Sequence, residues 1–389
     1  MKKLLLFITF LSLVFSICVT GVFAENKRNT VAENASGDFD VDAESAILME
    51  ASTGEILFEK NADVSKAPAS VTKIMTLLLV MEALESGKIS LDDSVSISEN
   101  AASMGGSQVF LEEGENMSVK ELIKCCVIAS ANDAAVALAE HTAGSESAFV
   151  NEMNKRAKEM GLKNSAFENT TGLDDTTKFH YMSARDIAQI SKELIKHPLI
   201  LEYSSLWQDT IRNGEFTLTN TNRLVRYYDG CNGLKTGSTD KAGFCISACA
   251  KRGNMQLIAV IMGADTRDIR NKAARELLDF GFANYGLYSQ EEKPLEETKL
   301  LGGKCGSVML YSKSFNTVLP KSELKNVEIE YQIPENLSAP IKAGDVVGKI
   351  KFTLNGEKLG ECDIFVKEEV PKLKFTDVFA LILQKIFTV

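Results

Sequence analysis

Apolar and polar positions change period several times along this chain. The stretch ESAILMEASTGEILFEKN, 44–61, reads as two short strands turning at Ser52-Thr53-Gly54. Helical spacing follows in VTKIMTLLLVMEALESG, SVKELIKCCVIASANDAAVALAEHT, SESAFVNEMNKRAKEMG and SARDIAQISKELIKH. Two more strands, AGFCISACA and MQLIAVIMG, are joined by Lys251-Arg252-Gly253-Asn254, and RNKAARELLDFGFANYG closes the block as a helix. Strands at both ends with helices between them predict an α/β (α+β) domain over 44–290, an antiparallel sheet covered by helices.

From 291 the period becomes two. KNVEIEYQI, VVGKIKFTL and GECDIFVKEE alternate, with Asn355-Gly356 as a hairpin turn, and no helical pattern interrupts them. This predicts a small all-β domain over 291–370. The last segment, 371–389, returns to helical spacing. Phe375, Val378, Phe379, Ile382, Ile386 and Phe387 share one face, with Lys372, Lys374, Asp377 and Lys385 mostly elsewhere. It is too short and too interrupted by charge to span a bilayer. It reads as an amphipathic helix lying in the membrane interface; the alternative is a helix docked on the protein's own core.

The first 24 residues are a different object. Lys2 and Lys3 precede an apolar run, Leu4 to Val19, and Val22-Phe23-Ala24 offers small residues at −3 and −1. That is a secretory signal peptide, with a retained anchor as the rival. A polar linker, 25–43, follows. The mature chain is therefore expected outside the cytoplasm, at the outer face of the membrane or in the cell wall.

Composition narrows the function. The formal charge is −10, and it becomes −12 when Lys2 and Lys3 leave with the signal, which argues against nucleic acid as a partner. Seven cysteines stay after Cys18 departs, an odd number that cannot all pair within one chain. Cys245 and Cys249 share one face of a strand, too far apart to bond each other. His141, His180 and His197 lack ligand spacing, so the cysteines read as small buried thiols and no metal is expected.

Chemistry enters with three short motifs. Ser70 and Lys73 form S-x-x-K at the start of an apolar helix, and a second S-x-x-K occurs at Ser322 and Lys325. Ser130-Ala131-Asn132 forms S-x-N, repeated at Ser98–Asn100 and Ser314–Asn316. Lys235-Thr236-Gly237 occurs once, before the strand AGFCISACA. Only one choice gives S-x-x-K on an apolar helix, S-x-N 60 residues later, and then K-T-G at a strand. Those are the three elements of the penicillin-binding protein and β-lactamase signature.

On these motifs, and on SMGGSQVFLEEGE, MNKRAKEMGLKNSAFENTTGL, HYMSARDIA and GCNGLKTGSTDKAGFC, the chain resembles the low-molecular-mass penicillin-binding proteins, the serine-type D-alanyl-D-alanine carboxypeptidases. The resemblance runs through nearly all of the mature chain. It implies the penicillin-recognising fold, with its site between the sheet and a helical subdomain.

Three residues along a helix bring Ser70 and Lys73 together. Lys73 can strip the Ser70 hydroxyl only if its amine is neutral, a state that burial and the nearby charge of Lys235 would both favour. The resemblance implies an oxyanion hole from the N–H groups of Ser70 and Ser238, a proton relay at Ser130, and a peptide-pairing amide at Asn132. It gives Lys235 and Thr236 the substrate carboxylate, while Gly237 lets substrate approach the backbone. No cofactor is implied. The implied partners are a peptidoglycan stem peptide ending in D-Ala-D-Ala, β-lactam antibiotics and, through the last helix, a membrane surface.

Relatives often carry an arginine near the carboxylate. Neither Asn220-Thr221-Asn222 nor Gly263-Ala264-Asp265 supplies one, while Arg267 and Arg270 lie nearby in sequence. His180 matches a family position and can be catalytic or structural. Two other functions stay open. A β-lactamase needs a Glu-activated water, and Glu168 in AFENTTGLDD is followed four residues later by Gly172 rather than asparagine. A catalytically decayed cell-wall binding protein is the other, and penicillin labelling and turnover separate all three. Endopeptidase side activity fits the first reading.

Overall fold

The computed structural model describes residues 39–175 and 177–387. The signal peptide expected at 1–24 and most of the linker at 25–43 lie outside the described residues. Five antiparallel strands form the main sheet: β1 (Ser45–Glu50), β2 (Ile56–Lys60), β3 (Cys231–Thr239), β4 (Gly243–Arg252) and β5 (Met255–Ala264), in the spatial order β2-β1-β5-β4-β3. Sequence-distant β1 and β5 lie side by side, Ser45 opposite Met262 and Glu50 opposite Leu257. The sheet is covered on both faces, which is why its central strands read as unbroken apolar runs: all six β1 residues are buried.

Helix α1 (Lys73–Glu85) passes through the middle of the helical block, with ten of its 13 residues buried. Burying each Leu- or Ile-sized side chain contributes about 1.5–3 kcal/mol. This helix is therefore a rigid mount for whatever its first turn carries. Next come α2 (Val119–Lys124), α3 (Asn132–Ala143) and α4 (Ala184–Leu194); α4 packs on the inner face of the sheet. Helix α5 (Arg267–Asn284) covers the outer face. It comes close at Gly281, where a Cβ would stand 2.6 Å from Leu257 Cδ1 and 2.8 Å from Leu48 Cδ2.

Structure and sequence reading differ at three places. K-T-G does precede the strand AGFCISACA, β4, but it is itself part of a strand, β3, the sheet's outermost on that side. The polar, glycine-containing run CNGLKTGST has low strand propensity, and pairing with β4 overrides it. The single helix expected from Ser118 onward is broken in two. α2 runs into a π-helical turn, Cys125–Ala129, and Ser130 adopts a left-handed conformation (φ 63°, ψ 28°) before α3 begins. Apolar periodicity continues across the break, so the pattern hid it. A small hairpin, Gln208–Ile211 with Phe216–Thr219, was too short to show in the pattern at all.

Between α5 and Val366 the chain builds strands, interrupted by one 3₁₀ turn at Leu324–Asn326: β6 (Tyr285–Gln290), β7 (Lys293–Leu301), β8 (Ser307–Ser312), β9 (Phe315–Pro320), β10 (Val327–Gln332), β11 (Asn336–Ser338), β12 (Val346–Leu354) and β13 (Glu357–Val366). Six of them form a sheet in the order β10-β12-β13-β8-β7-β11, and β6 pairs with β9. Leu310, Ile350, Phe352, Ile364 and Val366 fill the core between, with Phe315 stacked on Phe352 at 4.0 Å. Asn355 and Gly356 both take positive φ, 52° and 83°, as the hairpin turn between β12 and β13 requires.

Helix α6 (Phe375–Phe387) projects from this unit with Phe375, Val378, Phe379, Ile382, Ile386 and Phe387 exposed. Its root is tied down. Leu373 N–H donates to Gly302 O (2.8 Å), and Lys304 pairs with Asp377 (3.4 Å). Among the described residues no helix is long and apolar enough to cross a membrane.

Candidate active site

A 3₁₀ turn, Ala69–Thr72, delivers Ser70 to the mouth of α1. Ala69 is held at φ 48°, an uncommon conformation for a residue with a side chain. One turn on, Lys73 is fully buried, and its Nζ has three partners: Ser70 Oγ at 3.0 Å, Asn132 Oδ1 at 2.5 Å and Thr171 O at 3.0 Å. Two of these, an amide oxygen and a carbonyl, can only accept. A neutral amine has two hydrogens and one lone pair. It can give its hydrogens to Asn132 and Thr171 and take the hydrogen of the one partner able to donate, the Ser70 hydroxyl. Burial drives the amine that way, lowering its pKa to about 8, against opposing contributions from Cys126 and Asp133.

Burial is the leading cause of the depressed Lys73 amine. Lys235 lies near enough for the two amines to repel each other, and it is held well below its ordinary value first by burial and then by Lys73. Lys235 is almost wholly buried and donates to Thr236 O at 3.0 Å.

The broken helix supplies the next pair. Its left-handed turn leaves the Ser130 hydroxyl buried with no hydrogen-bond partner among the described residues. A buried, unpaired hydroxyl costs stability, and this one lies two residues from Lys73's partner Asn132. Asn132 grips Lys73 through Oδ1 and donates through Nδ2 to Gly105 O at 2.7 Å. Neighbouring Asp133 accepts the backbone N–H groups of Val109 (3.0 Å) and Leu111 (3.1 Å), tying the 105–111 loop beside the cleft.

Across the cleft, β3 lies against the Ser70 turn. A Cβ on Gly237 would stand 2.7 Å from Ser70 N, 2.9 Å from Val71 N and 3.0 Å from Pro68 O. All three are backbone atoms that cannot swing aside, so only glycine permits this approach. Ser238, the next residue, is exposed at the mouth. The Thr236 hydroxyl donates to Thr221 Oγ1 at 2.9 Å. Asn220 and Asn222 are scaffold: Asn220 Nδ2 serves Ser204 O and Leu206 O, and Asn222 Nδ2 serves Gly233 O. Thr221 between them is a site residue that sequence reasoning missed; its only signal was its place in the stretch searched for an arginine.

His180 is held by hydrogen bonds at both ring nitrogens. Nδ1 accepts the Glu168 N–H (3.1 Å), which leaves Nε2–H to donate to Thr72 Oγ1 (2.8 Å). Burial pushes its pKa down to about 4, so the ring stays neutral. Glu168 turns away from Ser70, its carboxylate capping the N–H groups of Lys178 (2.7 Å) and Phe179 (3.0 Å). Gly172 sits at φ +82°, where a Cβ would fall 1.8 Å from Ala69 O. That position cannot carry a side chain, so the water-holding Glu–Asn arrangement of a β-lactamase has no room here.

Comparison with known proteins agrees with this geometry. Residues 29–266 match the family profile described as D-alanyl-D-alanine carboxypeptidase, and residues 282–372 match the penicillin-binding protein 5 C-terminal domain. The chain belongs to the D-alanyl-D-alanine carboxypeptidase family. It is 45% identical over 341 residues to the Bacillus subtilis D-alanyl-D-alanine carboxypeptidase DacF, covering 86% of this chain and 87% of that one. The Escherichia coli carboxypeptidase DacC is 37% identical, covering 85% and 84%. Among solved structures, penicillin-binding protein 5 from Haemophilus influenzae superposes with a TM-score of 0.73 at 34% identity, over 86% of this chain and 99% of that one. The carboxypeptidase family's penicillin-binding fold is thus the fold of this chain, and the expected enzyme class holds.

Proposed function

We propose that this carboxypeptidase removes the terminal D-alanine from peptidoglycan stem peptides through an acyl-enzyme on Ser70. The observation that carries the reading is the set of partners around Lys73, in which Ser70 alone can donate to a neutral amine. Ser70 Oγ attacks the carbonyl between the two D-alanines while Lys73 takes its proton. The N–H groups of Ser70 and Ser238 stabilise the oxyanion, each such donor being worth about 3–4 kcal/mol. The C–N bond then breaks, Ser130 passes a proton to the leaving amine, and D-alanine departs. Water hydrolyses the ester, returning Ser70.

The peptide end is held by Lys235 with the hydroxyls of Thr236 and Thr221, and Asn132 borders the peptide. An arriving carboxylate would supply the counter-charge that the buried Lys235 amine lacks, drawing a proton onto it. A β-lactam mimics the dipeptide and would acylate the same hydroxyl. The test is release of one D-alanine per pentapeptide by the full chain, together with a long-lived penicillin adduct. Rapid penicillin turnover without D-alanine release would refute the proposal.

We further infer that 44–284 is the catalytic unit and that the β unit from Tyr285 carries α6 to the outer face of the cytoplasmic membrane. The apolar face of α6, exposed from Phe375 to Phe387, supports this. The chain ending at 370 is expected to stay in the supernatant when vesicles are spun down with it, while the full chain pellets. Equal partitioning of the two would remove the anchor from α6.

A further inference from the structure

The chain has one tryptophan, and it is not in the core. Trp207 is half-buried and opens the hairpin Gln208–Ile211 with Phe216–Thr219. Its ring lies 6.3 Å from that of Tyr227, tilted by 60°. The exposed Arg226 guanidinium covers both, 5.2 Å from the centre of the Trp207 ring and 5.5 Å from that of Tyr227. Adjacent Tyr228 shows the alternative. It is buried and its hydroxyl donates to Asp279 Oδ1 at 2.8 Å, while Tyr227 turns outward and is 66% exposed. Rings left in water forgo the stabilisation that burial gives, and a cluster of them marks a contact surface.

This hairpin is bonded to the catalytic cleft at both ends. Trp207 O accepts the N–H of Asn220 at 2.9 Å, next to the cleft residue Thr221. At the hairpin's tip, Arg212 donates to Val109 O (3.0 Å) and Phe110 O (3.1 Å) and pairs with Glu115 (2.7 Å). Ser107 O, in the same loop, accepts the N–H of Asn132 at 2.7 Å. Phe110 is held there at φ 58°, a conformation that residues with side chains rarely take, and is 64% exposed. Exposed aromatic rings thus stand at both ends of a ridge that flanks the site.

Rings with a guanidinium suit a sugar chain. A pyranose presents C–H bonds on its faces and hydroxyl and acetamido oxygens on its rim. The faces pack on indole and phenol rings, and the rim oxygens accept from guanidinium N–H groups. A polyanion fits less well, because the stack holds a single cation in a chain of net charge −10.

We propose that Trp207, Tyr227 and Arg226 bind the glycan strand of peptidoglycan, a chain of N-acetylated sugars, while one of its stem peptides occupies the cleft. This rests on the substrate proposed above. It makes the polymer a better substrate than the free peptide, because a held strand keeps further stem peptides at high local concentration.

Trp207 is the sole tryptophan, so the emission of the full chain reports this surface directly. A neutral N-acetylglucosamine oligomer should shift that emission saturably to shorter wavelength, as sugar replaces water against the indole; polyphosphate should not. Tyr227→Ala and Arg226→Gln, both at exposed positions, should each weaken the binding about fivefold. On isolated sacculi the same variants should raise KM about fivefold with kcat little changed, and free pentapeptide should react as with wild type. The inference is overturned if the oligomer leaves the emission unmoved, if polyphosphate moves it as far, or if the variants alter both substrates equally or neither. Should the wild type release no D-alanine from free pentapeptide, the activity proposed above fails, and the fluorescence arm still decides the sugar surface.

Discussion

Ser70→Ala is expected to abolish D-alanine release, a loss of about 10⁶-fold in kcat, and to leave no penicillin attached to the protein by intact-mass measurement. The size follows from what is removed. Without an oxygen at position 70 no ester forms, and what remains is binding plus the oxyanion donors. The variant should stay folded. Ser70 is half-buried in a turn ending at α1, and among the described residues its side chain bonds only Lys73. Substrate binding should therefore survive, measurable as quenching or competition. An adduct persisting on the alanine variant would relocate the nucleophile.

Lys73→Met is the second large effect, with acylation expected to fall about 10⁴-fold. Methionine keeps most of the buried volume of lysine but cannot take a proton. In the wild type, acylation should rise with pH and level off above about 8, as the amine loses its proton. That limb should vanish in the variant. The same group sets a stability signature. The folded amine is depressed from 10.5 to about 8, so the fold disfavours its charged form. No cost exists above pH 10.5, and the whole cost is present below about 8. Relative to Lys73→Met, the wild type should lose about 3 kcal/mol between those limits as pH falls, and nothing further below. Denaturant melts at pH 7, 9 and 10.5 read this directly. A flat difference across that range would mean that residue 73 is not a buried, depressed amine.

Much of this was legible before any coordinates. The three motifs needed only order and context, and the change of period near 291 marked a strand-built stretch whose first strand in fact begins at Tyr285. The Asn355-Gly356 turn came from residue type alone. What stayed hidden were interactions between distant segments. Nothing local in Lys73 says that Thr171 O and Asn132 Oδ1 hold it, because those partners are 98 and 59 residues away. The break at Ser130 was masked because apolar residues continue on both sides of it. Strand β3 was masked because its ladder with β4, rather than its own side chains, makes it a strand.

The contact between Gly172 and Ala69 O also bears on how antibiotic resistance could arise here. An enzyme that forms a slow ester with penicillin becomes a penicillin destroyer by gaining a held water molecule. At this position even a methyl group would drive into the chain that carries the nucleophile, so no single exchange there can install one. That route to escape from the drug is closed at this position, and selection experiments on this protein should return no substitutions at residue 172.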